Sequence, residues 1–176
     1  MRKWLCLFFS IVLILPMIAC HPLGKKRNYL EAKDETTGFF NKHKDRFLSV
    51  VNEIEKSHSA DNIKISGIEL IWYDEEESNV TVTFYKQGYG LMTGGQYWGV
   101  YYSASGKPFT NWNVKLVSGP YEGCFYWQED DGGNTYVTEH LEDGWYFYYE
   151  DYDGNGHGLD WECLKQMRVE QREGTG

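Results

Sequence analysis

Val80-Thr81-Val82-Thr83-Phe84-Tyr85 decides the fold. Val80, Val82 and Phe84 alternate with Thr81, Thr83 and Tyr85, and a period of two with β-branched and aromatic residues is a strand with one face toward a core. Upstream, Asp74-Glu75-Glu76-Glu77-Ser78-Asn79 reads as an acidic turn. Before it, Ile63, Ile65, Ile68, Leu70 and Trp72 make a strand-like run with a bulge expected at Gly67. Downstream, strands are expected at Tyr97–Ser103, Trp112–Val117, Tyr121–Trp127, Thr135–His140 and Trp145–Glu150. Their separators are turn-rich: Ser105-Gly106, Ser118-Gly119-Pro120, Asp131-Gly132-Gly133 and Asp143-Gly144. Leu91–Gln96, beside Gly90 and holding Gly94 and Gly95, reads as a loop. Short strands at this spacing pair antiparallel, because parallel pairs need long crossovers.

Upstream of Asn62 the period is helical. Phe39, Phe40, His43, Phe47, Val50, Val51 and Ile54 share one face over residues 37–56, with Thr36 or Thr37 as cap. The expectation is an α+β domain over residues 37–173, a helix packed on an antiparallel sheet of about six or seven strands. The tail from Trp161 to Gln171 suits either a helix or a last strand.

The chain opens Met1-Arg2-Lys3-Trp4 and continues with an apolar run from Leu5 to Ala19. A basic start, a run of this length and a small residue at its end make a secretory signal, too short for a membrane span. Met17-Ile18-Ala19-Cys20 then resembles the lipobox of bacterial lipoproteins, with Met17 where Leu is usual. That resemblance covers about the first 20 residues and implies cleavage before Cys20, a diacylglyceryl thioether on its sulfur and an acylated amine. Residues 1–19 are then the signal peptide and residues 20–36, polar and charged, a lipidated tether. The expected partner is a bacterial cell membrane or outer membrane, with the domain facing away from the cytoplasm.

Removing residues 1–19 removes Arg2, Lys3 and no acid, so 17 basic residues fall to 15 against 26 acids and the charge moves from −9 to −11. Phosphate contacts need clustered Lys and Arg, so nucleic acid is not an expected partner. Cys124 and Cys163 remain in the exported part, and two such cysteines read as a disulfide, the alternative being two buried thiols.

Asp151-Tyr152-Asp153-Gly154-Asn155-Gly156-His157-Gly158-Leu159-Asp160-Trp161-Glu162 fits D-x-[DN]-x-[DN]-G with Glu at the twelfth place. It resembles the EF-hand loop, which implies Ca²⁺ held by Asp151, Asp153, Asn155, the His157 carbonyl and Glu162. Gly158 replaces the usual aliphatic residue, and the preceding Trp145–Tyr149 run is β-type. A long hairpin turn accounts for the same Asp-Gly and Asn-Gly pairs, so turn and Ca²⁺ site both stand.

Residues 71–162 carry 23 of the 30 aromatics, many adjacent, so neighbouring rings must face opposite sides of the sheet. An outward row stacks on sugar rings or forms a protein hot spot, with Tyr97, Trp98, Trp112, Trp127 and Trp145 as its candidates. The alternative is tyrosine on a solvated sheet face, where it favours strands. Motifs of hydrolases, zinc proteases, P-loops and dinucleotide folds are absent, and His21, His43, His58, His140 and His157 are scattered. The expected work is therefore not enzymatic: binding of a glycan or other envelope ligand, or an acidic inhibitor or immunity-type lipoprotein that captures a basic protein.

Overall fold

The computed structural model describes residues 28–76, 79–91, 94–112, 114–130 and 133–152. Among the described residues one helix, α1 (Tyr29–Ser57), precedes seven strands. They are β1 (Leu70–Glu76), β2 (Asn79–Leu91), β3 (Gly94–Ser103), β4 (Val117–Ser118), β5 (Cys124–Gln128), β6 (Thr135–Glu142) and β7 (Trp145–Asp151). They form one sheet in the order β1-β2-β3-β7-β6-β5-β4, every neighbouring pair antiparallel. The expected α+β architecture is therefore the observed one.

α1 lies on one face of the sheet. Phe40, Phe47, Val50, Val51 and Ile54 are buried against Val82, Phe84, Val100 and Trp145. Phe47 is wholly buried, its ring 4.8 Å from Phe84 and 5.9 Å from Trp145. Alternation on β7 sends Trp145, Phe147 and Tyr149 into this layer or the adjoining cluster around Tyr29 and Trp98.

The helix begins at Tyr29, not at residue 37, which corrects the boundary expected for the tether. Asn28 caps it by accepting from the Glu31 N–H at 2.9 Å. Tyr29, Ala32 and Thr36 extend the buried stripe by two turns. Glu139 of β6, 3% exposed, accepts from the Tyr29 hydroxyl, from the Tyr121 hydroxyl at 2.5 Å and from the Lys33 ammonium at 2.6 Å. The charges that make this segment look like a tether include the one that docks it. Burial and the adjacent Glu139 carboxylate both hold the Tyr29 hydroxyl well above its usual pKa.

Several strands also differ from expectation. Ile63 to Ile68 forms no strand: Gly67 has φ +84 in a turn, and Ile65 is a buried plug ahead of β1. The acids Asp74, Glu75 and Glu76 belong to β1, paired with Thr81, Val80 and Asn79. The expected loop Leu91–Gln96 is the end of a hairpin, with Leu91 opposite Gly94 and Gly90 opposite Gly95. Glycine-rich strand ends weaken the alternation signal without preventing pairing. Of the expected strand Trp112–Val117, residues 112 and 114–116 are non-strand chain and Val117 at its end is in a strand; residue 113 lies outside the described residues.

Residues 104–112 and 114–116 cross the face opposite α1 as a strap. Beneath it Tyr101, Tyr136, Tyr146 and Tyr148 are buried, with Phe109, Trp112 and Leu116 packed on them. The Tyr136 hydroxyl donates to the Phe109 carbonyl at 2.8 Å and the Tyr146 hydroxyl to the Gly106 carbonyl at 2.6 Å. The Tyr101 hydroxyl accepts from the Phe109 N–H at 2.9 Å. Buried phenols need partners, and irregular backbone supplies unpaired N–H and C=O groups, which is why this segment is not a strand.

Truncating Phe47 removes a ring from the centre of the helix–sheet layer. Phe47→Ala is expected to cost about 3–5 kcal/mol in urea unfolding followed by circular dichroism; a loss below about 1 kcal/mol would contradict this packing.

Candidate functional site

The strap leaves a cleft of about 580 Å³ between itself and the outer strand β1. Phe109, Trp112 and Leu116 line it from the strap, and Asp74 and Glu76 from β1. Thr110, Asn111 and Lys107 add polar groups to the same lining. A concave site with a few ring faces and several polar groups is the usual form of a small-ligand site.

Trp112 is both wall and keystone. Its ring is 5.1 Å from Trp127, 6.0 Å from Tyr136 and 4.8 Å from Tyr152. Tyr152 is in turn 5.6 Å from Tyr97, which is 5.9 Å from Tyr85. Tyr97 and Tyr136 stand opposite Glu150 in the register of β3 and β6 with β7. A row of rings therefore runs across the sheet from β2 to β5 with one carboxylate in its middle. Gly88 makes the row fit: a Cβ there would lie 1.8 Å from the Tyr85 hydroxyl oxygen and 2.5 Å from the Tyr97 ring.

Glu150 accepts from the Tyr152 hydroxyl at 3.2 Å. Burial among the rings raises its carboxyl from the ordinary 4.5 to about 7, with the Tyr152 bond opposing. Burial, aided by Glu150, likewise raises the Tyr136, Tyr148 and Tyr152 hydroxyls.

Of the five aromatics expected in an outward row, Trp98 and Trp145 are 0% and 1% exposed and belong to the helix-side core. That corrects the expectation for these two: alternation places them under α1, where no surface ligand reaches. Tyr97, Trp112 and Trp127 are half-buried on the opposite face and packed into one cluster, of which Trp112 reaches the cleft. Phe109, Asp74 and Glu76 carried no signal of a site in sequence, because the cleft exists only where the strap passes β1. Trp72, 57% exposed on β1, carries only a strand signal in the sequence.

Asp151 ends β7 and is buried, with Oδ2 accepting from the Gln96 amide at 3.0 Å. The other residues of the proposed Ca²⁺ loop, Asp153, Asn155, His157 and Glu162, lie outside the described residues, as does Cys20. Cys124 is buried on β5 in the cluster that holds Tyr29 and Phe147; its expected disulfide partner Cys163 is also outside the described residues. Among the described residues no helix is long and apolar enough to cross a membrane. No family model matches the chain, and no curated protein or solved structure is detectably similar to it.

Glu150 titrates higher in the folded chain than in the unfolded one, so the native state holds the extra proton between pH 4.5 and about 7. Its contribution is present in full below the lower value and is lost as pH rises through the upper one. Wild-type protein is expected to lose on the order of 2 kcal/mol across that window, discounted for the partial exposure of Glu150. Glu150→Gln should flatten this part of the profile in urea titrations at pH 5 and 8; an unchanged slope would place the titration elsewhere.

Proposed function

We propose that the chain is a bacterial cell-envelope lipoprotein, acylated at Cys20, whose extracytoplasmic domain binds a glycan or chemically similar envelope ligand without catalysis. The observation that carries the binding reading is the strap cleft, which sets Trp112 and Phe109 beside Asp74, Glu76 and Asn111. Ring faces take the C–H faces of a sugar, and carboxylate and amide oxygens take its hydroxyls. The lipobox resemblance supports the anchor, and the absence of catalytic motifs in the sequence supports a binding role. A capped helix starting at Tyr29 also supports membrane apposition. Only residues 21–28 separate Cys20 from α1, a reach of at most about 29 Å when fully extended. A second reading, capture of a cationic protein, draws on the acids at the end of β1.

Two measurements check these readings. Cys20→Ala is expected to move the protein from the membrane fraction to the soluble one. Immobilised mature protein is expected to retain envelope polysaccharide in a salt-insensitive way, and Trp112→Ala to lower retention about tenfold or more. Retention unaffected by Trp112→Ala would remove the cleft as the site.

A further inference from the structure

Among the described residues β1 is one outer strand of the sheet, with β2 as its only neighbour. It pairs with β2 over seven residues without a register shift. The opposite edge, β4, is two residues long. Proteins blunt exposed edges with short strands, charged side chains, proline or bulges. β4 is short, whereas β1 carries charge only in its second half, Asp74-Glu75-Glu76, and leaves Leu70–Tyr73 uncharged and without proline.

The backbone of β1 is set to accept another strand. The Glu69 N–H donates to the Tyr85 carbonyl at 2.9 Å, toward β2. The Ala104 N–H donates to the Val80 carbonyl at 2.9 Å, so Val80, Val82 and Phe84 bond toward β3 and Thr81, Thr83 and Tyr85 toward β1. Their partners Asp74, Trp72 and Leu70 therefore bond toward β2, and alternation turns the N–H groups of Ile71, Tyr73 and Glu75 away from the sheet. The side chains of Leu70, Trp72, Asp74 and Glu76 stand on the face opposite α1. Leu70 and Trp72 are 55% and 57% exposed, the two most exposed large apolar side chains among the described residues. Asp74 and Glu76 continue the line into the strap cleft, where Lys107 is the base among the lining residues. On the helix side, Ile71 and Tyr73 pack on the core, while Glu75 accepts from Tyr73 at 2.5 Å and lies 3.0 Å from His58 Nδ1. Among the described residues the edge thus offers the outward N–H groups of Ile71, Tyr73 and Glu75, and on one face two uncovered apolar side chains followed by two carboxylates.

We propose that β1 is a docking edge for an extended, basic segment of another protein, added as an eighth strand. Charge selects this occupant. A second copy of a chain with net charge −9 would bring its own acids to the edge, whereas Lys or Arg opposite Asp74 and Glu76 neutralises them. Apolar residues opposite Leu70 and Trp72 complete the same face of the added strand. The edge shares Asp74 and Glu76 with the cleft, whereas Leu70 and Trp72 are absent from the cleft lining, so a change at Trp72 tests the edge apart from the cleft.

A synthetic peptide containing Lys-Thr-Lys-Thr-Leu-Thr-Leu matches this order for antiparallel addition, and a scrambled peptide of the same composition is its control. The mature protein is titrated with each, and backbone amide exchange is read by NMR. The matched peptide is expected to slow exchange at Ile71, Tyr73 and Glu75 about tenfold or more. Trp72→Lys, at an exposed position, is expected to weaken binding about tenfold, while Trp112→Ala leaves it intact. Equal protection by the scrambled peptide, binding unchanged by Trp72→Lys, or no protection at millimolar peptide would overturn the proposal. So would concentration-dependent protection without peptide, which would assign the edge to a second copy.

Discussion

Five consecutive aromatic residues on a central strand require cover on both faces of the sheet, and the remaining structure follows from that. Trp145, Tyr146, Phe147, Tyr148 and Tyr149 are all buried on β7, between β3 and β6. Antiparallel sheets commonly leave one face to water, with polar residues at alternate positions. Here the alternate positions hold Tyr146 and Tyr148, so the second face needs a lid. α1 covers Trp145, Phe147 and Tyr149, and the strap covers the two tyrosines. The cleft is a by-product of that lid, left where the strap stops short of β1.

The two covers are held by different physics. The helix side is chiefly a layer of aromatic and aliphatic contacts. Border contacts add to it: an ion pair from Lys44 to Glu142 at 2.5 Å and a cation–π contact with Lys86 lying 4.4 Å over the Phe39 ring. Such border pairs contribute little individually, and the apolar layer dominates. The buried Lys33–Glu139 pair is of another kind, because two tyrosine hydroxyls satisfy the remaining carboxylate capacity. The strap side is a polar layer of phenols bonded to backbone. The Tyr101 hydroxyl lies 2.9 Å from Thr138 Oγ1, which itself donates to the Phe147 carbonyl. Such a network specifies one position for the strap, since a shifted strap would leave several buried hydroxyls unpaired.

Legibility followed the range of the interactions. The helix over residues 37–56 and the strands at Val80–Tyr85, Thr135–His140 and Trp145–Glu150 were readable because alternation and helical periodicity are local. The first two turns of α1 were not. Their burial rests on Glu139, more than a hundred residues away along the chain. The strand expected at Trp112–Val117 failed for a related reason: its apolar residues do face a core, but the tyrosines beneath take its backbone out of any ladder. Of the candidate site, Trp112, Trp127 and Tyr97 were legible as aromatic residues that had to face somewhere. Their convergence with Tyr152 and Glu150 came only from strand order.

By itself the sequence determined the fold class, the direction of the strand pairing and the requirement that adjacent aromatics part to opposite faces, because each depends on periodicity within a few residues. It also carried the lipobox resemblance, a matter of local motif. Only the tertiary structure decided which aromatics are core and which wall a cleft, where the helix starts and which strand stands at the edge. Those outcomes depend on β7 pairing between β3 and β6, and sequence periodicity does not choose partners among seven similar strands.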